Sequence, residues 1–466
     1  MRQTILLSGF CAALLCGCAD VRITEYQRPE APDKPSWSRP SGTTPVSAAD
    51  TISTQWWTEF RDPYLDSLVA RAIAGSFDLK ILAARIDVAN LQIAEAGAGG
   101  KPTVDIGAGA NIEKSTGQRT SKQYSVGAQV NWDIDVWGKY AKGVQAQTAE
   151  FNATEADWRA GYLTLASSVS TTYFQIRLFD EQLEDQQRAL TRSQQILAIF
   201  ETMRSNGLVP TTQVQRQRAE TARLTKDLLE LRRLRDVSEN ALATLVGVPA
   251  GQLKVPVGRL QDRVQLPTVP TGLPSQLLAR RPDIVAAEFR VLAAHDLMGQ
   301  AKLEQLPSIG LTGRGGSASF ALSDLLKSFT FGLAPSINIP ALNPGIKARA
   351  KTSEAQVKVA EQEYRRTVIA AFEDAENALV NLDAHRQQRE QLQLQVKELR
   401  QVGASSTTQL AAGLISQLEV FENERSLLAA ELALLASHQQ VLSDTVTLYK
   451  ALGGGWAPVE VANARR

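Results

Sequence analysis

The chain has 466 residues, 44% of them hydrophobic and 21% charged, with a formal net charge of +1. A balance so near zero gives no support for nucleic-acid binding, which usually shows as a basic patch or stripe. No uninterrupted apolar stretch of about 20 residues occurs, so a chain that crosses a membrane must do so by strands.

At the start, Arg2 precedes an apolar run, Ile5 to Leu15, which ends in Leu15-Cys16-Gly17-Cys18. A basic start, an apolar stretch too short to span a bilayer and small residues at its end read as a secretory signal over residues 1–17. The Leu-x-Gly-Cys ending resembles a bacterial lipobox, which makes Cys18 the lipidation site and the first residue of the mature chain. An ordinary signal peptide with incidental cysteines is the alternative. Cys11 and Cys16 leave with the signal, so no internal disulfide can form, although the compartment permits one. An Asp after the cysteine would resemble an inner-membrane retention signal; Ala19 stands there, so the outer membrane is expected. Residues 18–54 carry Pro29, Pro32, Pro35, Pro40 and Pro45 among few large apolar residues, and read as an extended lipid-anchored tether.

The rest of the chain is written twice. At a shift of 205, Phe77-Asp78-Leu79 falls on Pro282-Asp283-Ile284, Arg85 on Arg290, Pro102 on Pro307 and Gly127 on Gly332. At 206, Gly207-Leu208-Val209 falls on Gly413-Leu414-Ile415, Val214 on Val420 and Gly247 on Gly453. The repeats span residues 55–253 and 273–456, each reading helix, strand, strand, long helix, helix. An equatorial segment, 254–272, separates them, and a tail, 457–466, follows.

The strand pairs alternate with a period of two: Val104, Ile106 and Ile112 against Thr103, Asp105 and Asn111, then Val126, Val130 and Trp132 against Ser125, Gln129 and Asn131. The second copy's strands are Ser308 to Gly316 and Ser328 to Ile339. A soluble sandwich would alternate in the same way; length, small residues on one face and aromatics near the ends favour an outer-membrane barrel. The glycine-rich Gly313 to Ser319 follows a strand and reads as a strand-end loop. From Tyr162, apolar residues recur every seven positions to Leu197, and again from Leu414 to Tyr449, as in a coiled-coil seam. A helix from Lys139 to Ser205 would be roughly 100 Å long at 1.5 Å per residue.

Four strands cannot close a barrel, and an open sheet edge is not tolerated in lipid. Eight strands leave an interior filled by side chains; three chains give twelve and a lumen. The expected fold is a membrane α+β homotrimer: a 12-stranded outer-membrane β-barrel continued by a 12-helix periplasmic α-barrel with an equatorial domain.

Several segments resemble the TolC/OprM-type outer-membrane efflux proteins, in their lipoprotein, NodT-like branch. They are "WWTEFRDPYLDSL", "VNWDIDVWGK", "LLARRPDIVAAE", "QLPSIGLTG" and "LYKALGGGW", in the family's order from Trp56 to Trp456. Asn343-Pro344-Gly345 departs from the usual Gly-Gly pair before the second long helix. The resemblance implies a passive trimeric conduit for drugs or other small molecules, partnered by a periplasmic adaptor and an inner-membrane transporter. A duct for type I polypeptide secretion shares the fold and is the alternative; a coiled-coil structural lipoprotein leaves the strands unexplained. The resemblance also implies adaptor contacts at the hairpin tips, Gly207 and Leu208 with Gly413 and Leu414, beside the plainer reading of local turns. It further implies a periplasmic gate of stacked rings, Leu418 and Glu422, four apart on one helix face. Thr212 and Arg216 hold those positions in the first copy, making Arg216 a cationic partner if the hairpins meet.

No catalytic constellation converges. His295, His385 and His438 stand apart on helical segments without metal-ligand spacing, and neither a phosphate loop nor a Gly-x-Ser-x-Gly elbow occurs. No cofactor or metal is expected.

Overall fold

The computed structural model describes residues 23–32, 34–38, 52–114, 116–117, 120–260, 264–269, 278–340 and 343–456. The signal segment, Cys18 and the tail lie outside them. After a short 3-10 turn at Trp56–Phe60, the helices are α1 (Pro63–Gly75), α2 (Phe77–Ala98), α3 (Lys139–Ser205), α4 (Thr211–Val246), α5 (Pro282–Leu303), α6 (Pro344–Ala411) and α7 (Gln417–Ala451). The strands are β1 (Thr103–Glu113), β2 (Ser121–Ile134), β3 (Ser308–Ser319) and β4 (Thr330–Asn338).

The strands form one antiparallel sheet in the order β1-β2-β3-β4. Its register keeps like with like. Val130 stands opposite Val104 and Gly313, which stands opposite Leu333, whereas Gln129 stands opposite Asp105 and Arg314. Directly opposed residues share a face, so one face carries Val104, Ile106, Val130, Trp132, Phe331 and Leu333 and the other Asp105, Gln129, Asn131, Thr312 and Arg314. On the polar face Gln129 donates to Asn131 at 2.8 Å. The glycine-rich stretch expected as a loop is strand: Gly313 to Ser319 lie within β3. Glycine is required there by close approach. A Cβ on Gly316 would stand 2.7 Å from the Val126 carbonyl oxygen and 2.9 Å from the Gly127 Cα.

β2 and β4 each run into a long helix through a different device. Gly138, at φ 77°, turns the chain into α3. At the second junction Asn343 caps α6, accepting from the N–H groups of Gly345 (3.0 Å) and Ile346 (3.3 Å), with Pro344 in the first turn. A side-chain cap and a preset φ thus stand where the resemblance leads one to expect a glycine pair. α3 and α6 have 67 and 68 residues, so each runs roughly 100 Å. Near the sheet the packing order is α2-α3-α5-α6; at the far end it is α4-α3-α7-α6.

The main core lies between these regions, where Trp56, Trp57 and Phe60 insert among α1, α3, α4 and α7. Trp56 stacks on Tyr449 at 5.1 Å, and Phe60 lies 5.1 Å from Phe174. Seam residues Val169, Ile176, Leu442 and Tyr449 are buried here. Of the stretch expected as an extended tether, the described residues 23–32 and 34–38 lie along α5 and α6. Tyr26 packs between those helices, Arg28 pairs with buried Glu288 at 2.7 Å, and Lys34 pairs with Glu376 at 2.7 Å.

Candidate functional site

Both hairpins close with the same turn. Gly207 has φ 73° and Gly413 has φ 72°. The N–H of Gly207 donates to Arg204 at 2.9 Å and that of Leu208 to Met203 at 2.8 Å; Gly413 and Leu414 repeat this to Leu410 (3.0 Å) and Gln409 (2.9 Å). This is the helix C-terminal motif in which a left-handed residue satisfies the last carbonyls. An added Cβ would meet nothing within 4 Å at either glycine, so φ rather than crowding selects the residue. In the plain-turn reading the following Leu packs locally. It does not: Leu208 is 68% exposed and Leu414 74%. α7 then opens with a capping box between Ser416 and Glu419.

Leu418 and Glu422 project from the exposed face of α7, while Val420 and Ala430 bury the opposite one. Glu422 pairs with Arg425, one turn along the same helix, at 2.6 Å. The pairing considered for Arg216 is not made within the protomer. Arg216 is exposed on α4 and has no ion partner among the described residues, because α3, not α4, lies against α7. The contacts between hairpins come from α3 instead: Phe200 meets Phe421 edge-on at 6.0 Å, and Arg192 pairs with Glu424 at 2.9 Å.

Sequence reasoning missed a buried polar network that fastens the segment following α4. Arg177, 1% exposed, donates to Tyr173 (2.8 Å), Asp180 (3.2 Å) and the Pro256 carbonyl. Arg235 donates to Asp180 at 2.6 Å and to the Val255 carbonyl at 2.9 Å. Tyr173 donates to Asp62 at 2.5 Å; burial, then that bond, raises the phenol above its usual range and keeps it a donor. The available signal was Arg177 and Asp180, spaced i,i+3 inside an otherwise apolar helix stretch. Replacing Arg177 with Met leaves Asp180 short of a buried partner and is expected to cost about 3–5 kcal/mol, read as a lowered thermal midpoint of the purified protein.

The histidines are packed side chains. His295 lies edge-on to Tyr26 at 5.8 Å, and His385 bonds Asp444 at 2.5 Å. No cluster suited to a metal ion occurs among the described residues.

The sequence pattern of the outer membrane efflux proteins matches residues 68–248 and 273–454. The chain is 30% identical to the pyoverdine export outer membrane protein OpmQ of Pseudomonas putida, over 90% of this chain and 91% of that one. It is 29% identical to the probable outer membrane lipoprotein SilC of Salmonella typhimurium, over 97% and 98%. The crystal structure of the open state of the MtrE outer membrane channel of Neisseria gonorrhoeae superposes with a TM-score of 0.83 at 26% identity, over 93% of this chain and 98% of that one.

Proposed function

Because the chain belongs to the outer membrane efflux protein family, we propose that three copies close one passive channel, the exit duct of a tripartite pump completed by a periplasmic adaptor and an inner-membrane transporter. One observation carries this reading: the sheet has two unpaired edges, β1 and β4, which lipid does not tolerate. Pairing β4 of one copy with β1 of the next gives twelve strands around a lumen. The edge helices support the same closure. Phe77, Ile81, Val88 and Leu91 on α2, and Val359, Ile369, Leu394 and Val402 on α6, are exposed apolar side chains awaiting a neighbour.

In this reading Cys18 is acylated. Ile23, five residues on, lies beside Gly299 near the sheet end of α5, and five extended residues reach at most about 18 Å, enough to seat the lipid at the base of the barrel. The likeness to a lipoprotein supports this. Residues 55–253 and 273–456 act as the repeated units, with 254–272 in the equatorial girdle. The channel holds no cofactor and performs no chemistry; its partners supply the energy. Export of a small molecule by one relative favours small-molecule efflux over polypeptide secretion. Expressed with its adaptor and transporter in an efflux-deficient strain, the protein is expected to restore dye extrusion and drug tolerance. Secretion of a polypeptide without dye extrusion would give the alternative.

The exposed Leu208 and Leu414 are proposed as adaptor contacts. A photocrosslinking residue at either position is expected to capture the co-expressed adaptor. Capture only from the equatorial region would reject the tips as the docking surface.

A further inference from the structure

At the far end of the helices the packing order α4-α3-α7-α6 sets the first repeat beside the second, with α3 against α7. Side chains near the tips fix the register of that junction. Phe200 meets Phe421 at 6.0 Å, Arg192 pairs with Glu424 at 2.9 Å, and Leu428 packs on the cluster that holds Leu190.

The shift of 206 that relates the repeats carries α3 onto α6 and α4 onto α7. Burial follows it: Leu190 and Val396 are both buried, as are Val214 and Val420, and Leu224 and Ala430. One face breaks the match. On α7, α3 covers Glu424 and Leu428, and Leu435 and Gln439 on the same heptad face are buried. Their counterparts on α4, Arg218, Ala222, Leu229 and Arg233, are all exposed, Leu229 by 58%. These four line a groove of about 870 Å³.

The cover that this groove lacks is the counterpart of α3, which is α6. In its own chain α6 lies at the opposite end of the row, so an α6 that fills the groove belongs to a second copy. The charges agree. At the shift of 206, Arg192 falls on Glu398 and Arg218 falls on Glu424, the same pair with its signs exchanged. Glu398 is exposed with no ion partner among the described residues. Arg218 bonds Glu201 through Nε (3.1 Å) and Nη2 (2.7 Å), which leaves Nη1 for a further acceptor.

We propose that α6 of one copy seats in the α4 groove of the next in the register of α3 on α7, with Glu398 on Arg218 of the partner subunit. The inference rests on the three-copy channel and names the residues that join its copies. The exchange of signs also fixes the order around the ring. Two first repeats side by side would set Arg192 against Arg218, and two second repeats would set Glu398 against Glu424. Only alternation of the repeats pairs opposite charges at every junction.

The test is a short bis-maleimide crosslink in the full-length protein between Arg218→Cys and Glu398→Cys, with Arg192→Cys and Glu424→Cys as the reference pair. The expected product joins chains, up to three, to an extent comparable with the link that the reference pair forms within one chain. Trimers that form without this link, or that link better from Val402→Cys, one turn along α6, overturn the register and leave the channel standing. Chains that never assemble reject the three-copy channel and the inference with it. Charge reversal gives a second readout. Glu398→Arg is expected to lower the share of chains recovered as trimer in mild detergent at low salt several-fold, and adding Arg218→Glu to restore it. Recovery indifferent to both substitutions also overturns the proposal.

Discussion

Replacing Leu418 and Glu422 together with Ala is expected to raise the resting conductance of purified trimers in planar bilayers several-fold and to admit normally excluded antibiotics into cells. In the gate we propose, threefold symmetry would turn these two residues into an apolar ring and a ring of three carboxylates, one turn apart near the tip of α7. Both side chains are exposed in the protomer, Leu418 by 53%, as residues facing a lumen must be before the assembly closes. Such an apolar ring would exclude water, and the three carboxylates would repel one another across the axis. Arg425, 2.6 Å from Glu422, offsets part of that repulsion. Glu422→Ala alone should therefore change conductance less than Leu418→Ala, while shifting selectivity away from cations because Arg425 is left without its partner. A near-closed trace unchanged in correctly assembled double-mutant trimers would place the constriction elsewhere.

The second large effect lies in the sheet. Phe331→Arg, and to a similar degree Val130→Arg, is expected to destabilise the inserted barrel by roughly 2–4 kcal/mol if the site lies at the bilayer midplane. Gln129→Arg, one position along β2, should be tolerated. Phe331 is 84% exposed in the protomer and stands on the face shared by Val104, Val130 and Leu333, whereas Gln129 lies in a polar row with Asp105 and Arg314. Denaturant-induced unfolding in lipid vesicles reads the difference. Equal sensitivity of the two faces would mean that neither is turned to lipid.

The backbone plan was legible wherever periodicity ran long. The alternation around Val130 and the seven-residue spacing from Tyr162 to Leu197 are each set by which side must be dry, and α3 begins and ends at the residues the sequence marks, Lys139 and Ser205. Glycine misled where it served a second purpose. Gly313 to Ser319 looked like a loop because small residues usually mark turns, yet here they let β2 and β3 approach closely. The strap formed by residues 23–32 and 34–38 was hidden because its anchors, Tyr26, Arg28 and Lys34, are scattered among prolines and show no period. The Arg177 network was hidden for a different reason. Its partners Asp62, Arg235 and Pro256 are distant in sequence, and a single charged pair in an apolar helix does not say what will cover it. Of the proposed gate, the shared helix face followed from spacing alone, but the Glu422–Arg425 pair did not, since Arg216 and Arg425 were equally available by charge.

The central claim is that one chain supplies a third of a closed channel, and native mass spectrometry of the protein reconstituted in lipid nanodiscs tests it most directly. A single species of three chains is predicted, dissociating only when the pairing of β4 with the neighbouring β1 is broken by proline substitutions in β4. A conducting monomer, or a stable assembly of two or four chains, would contradict the account.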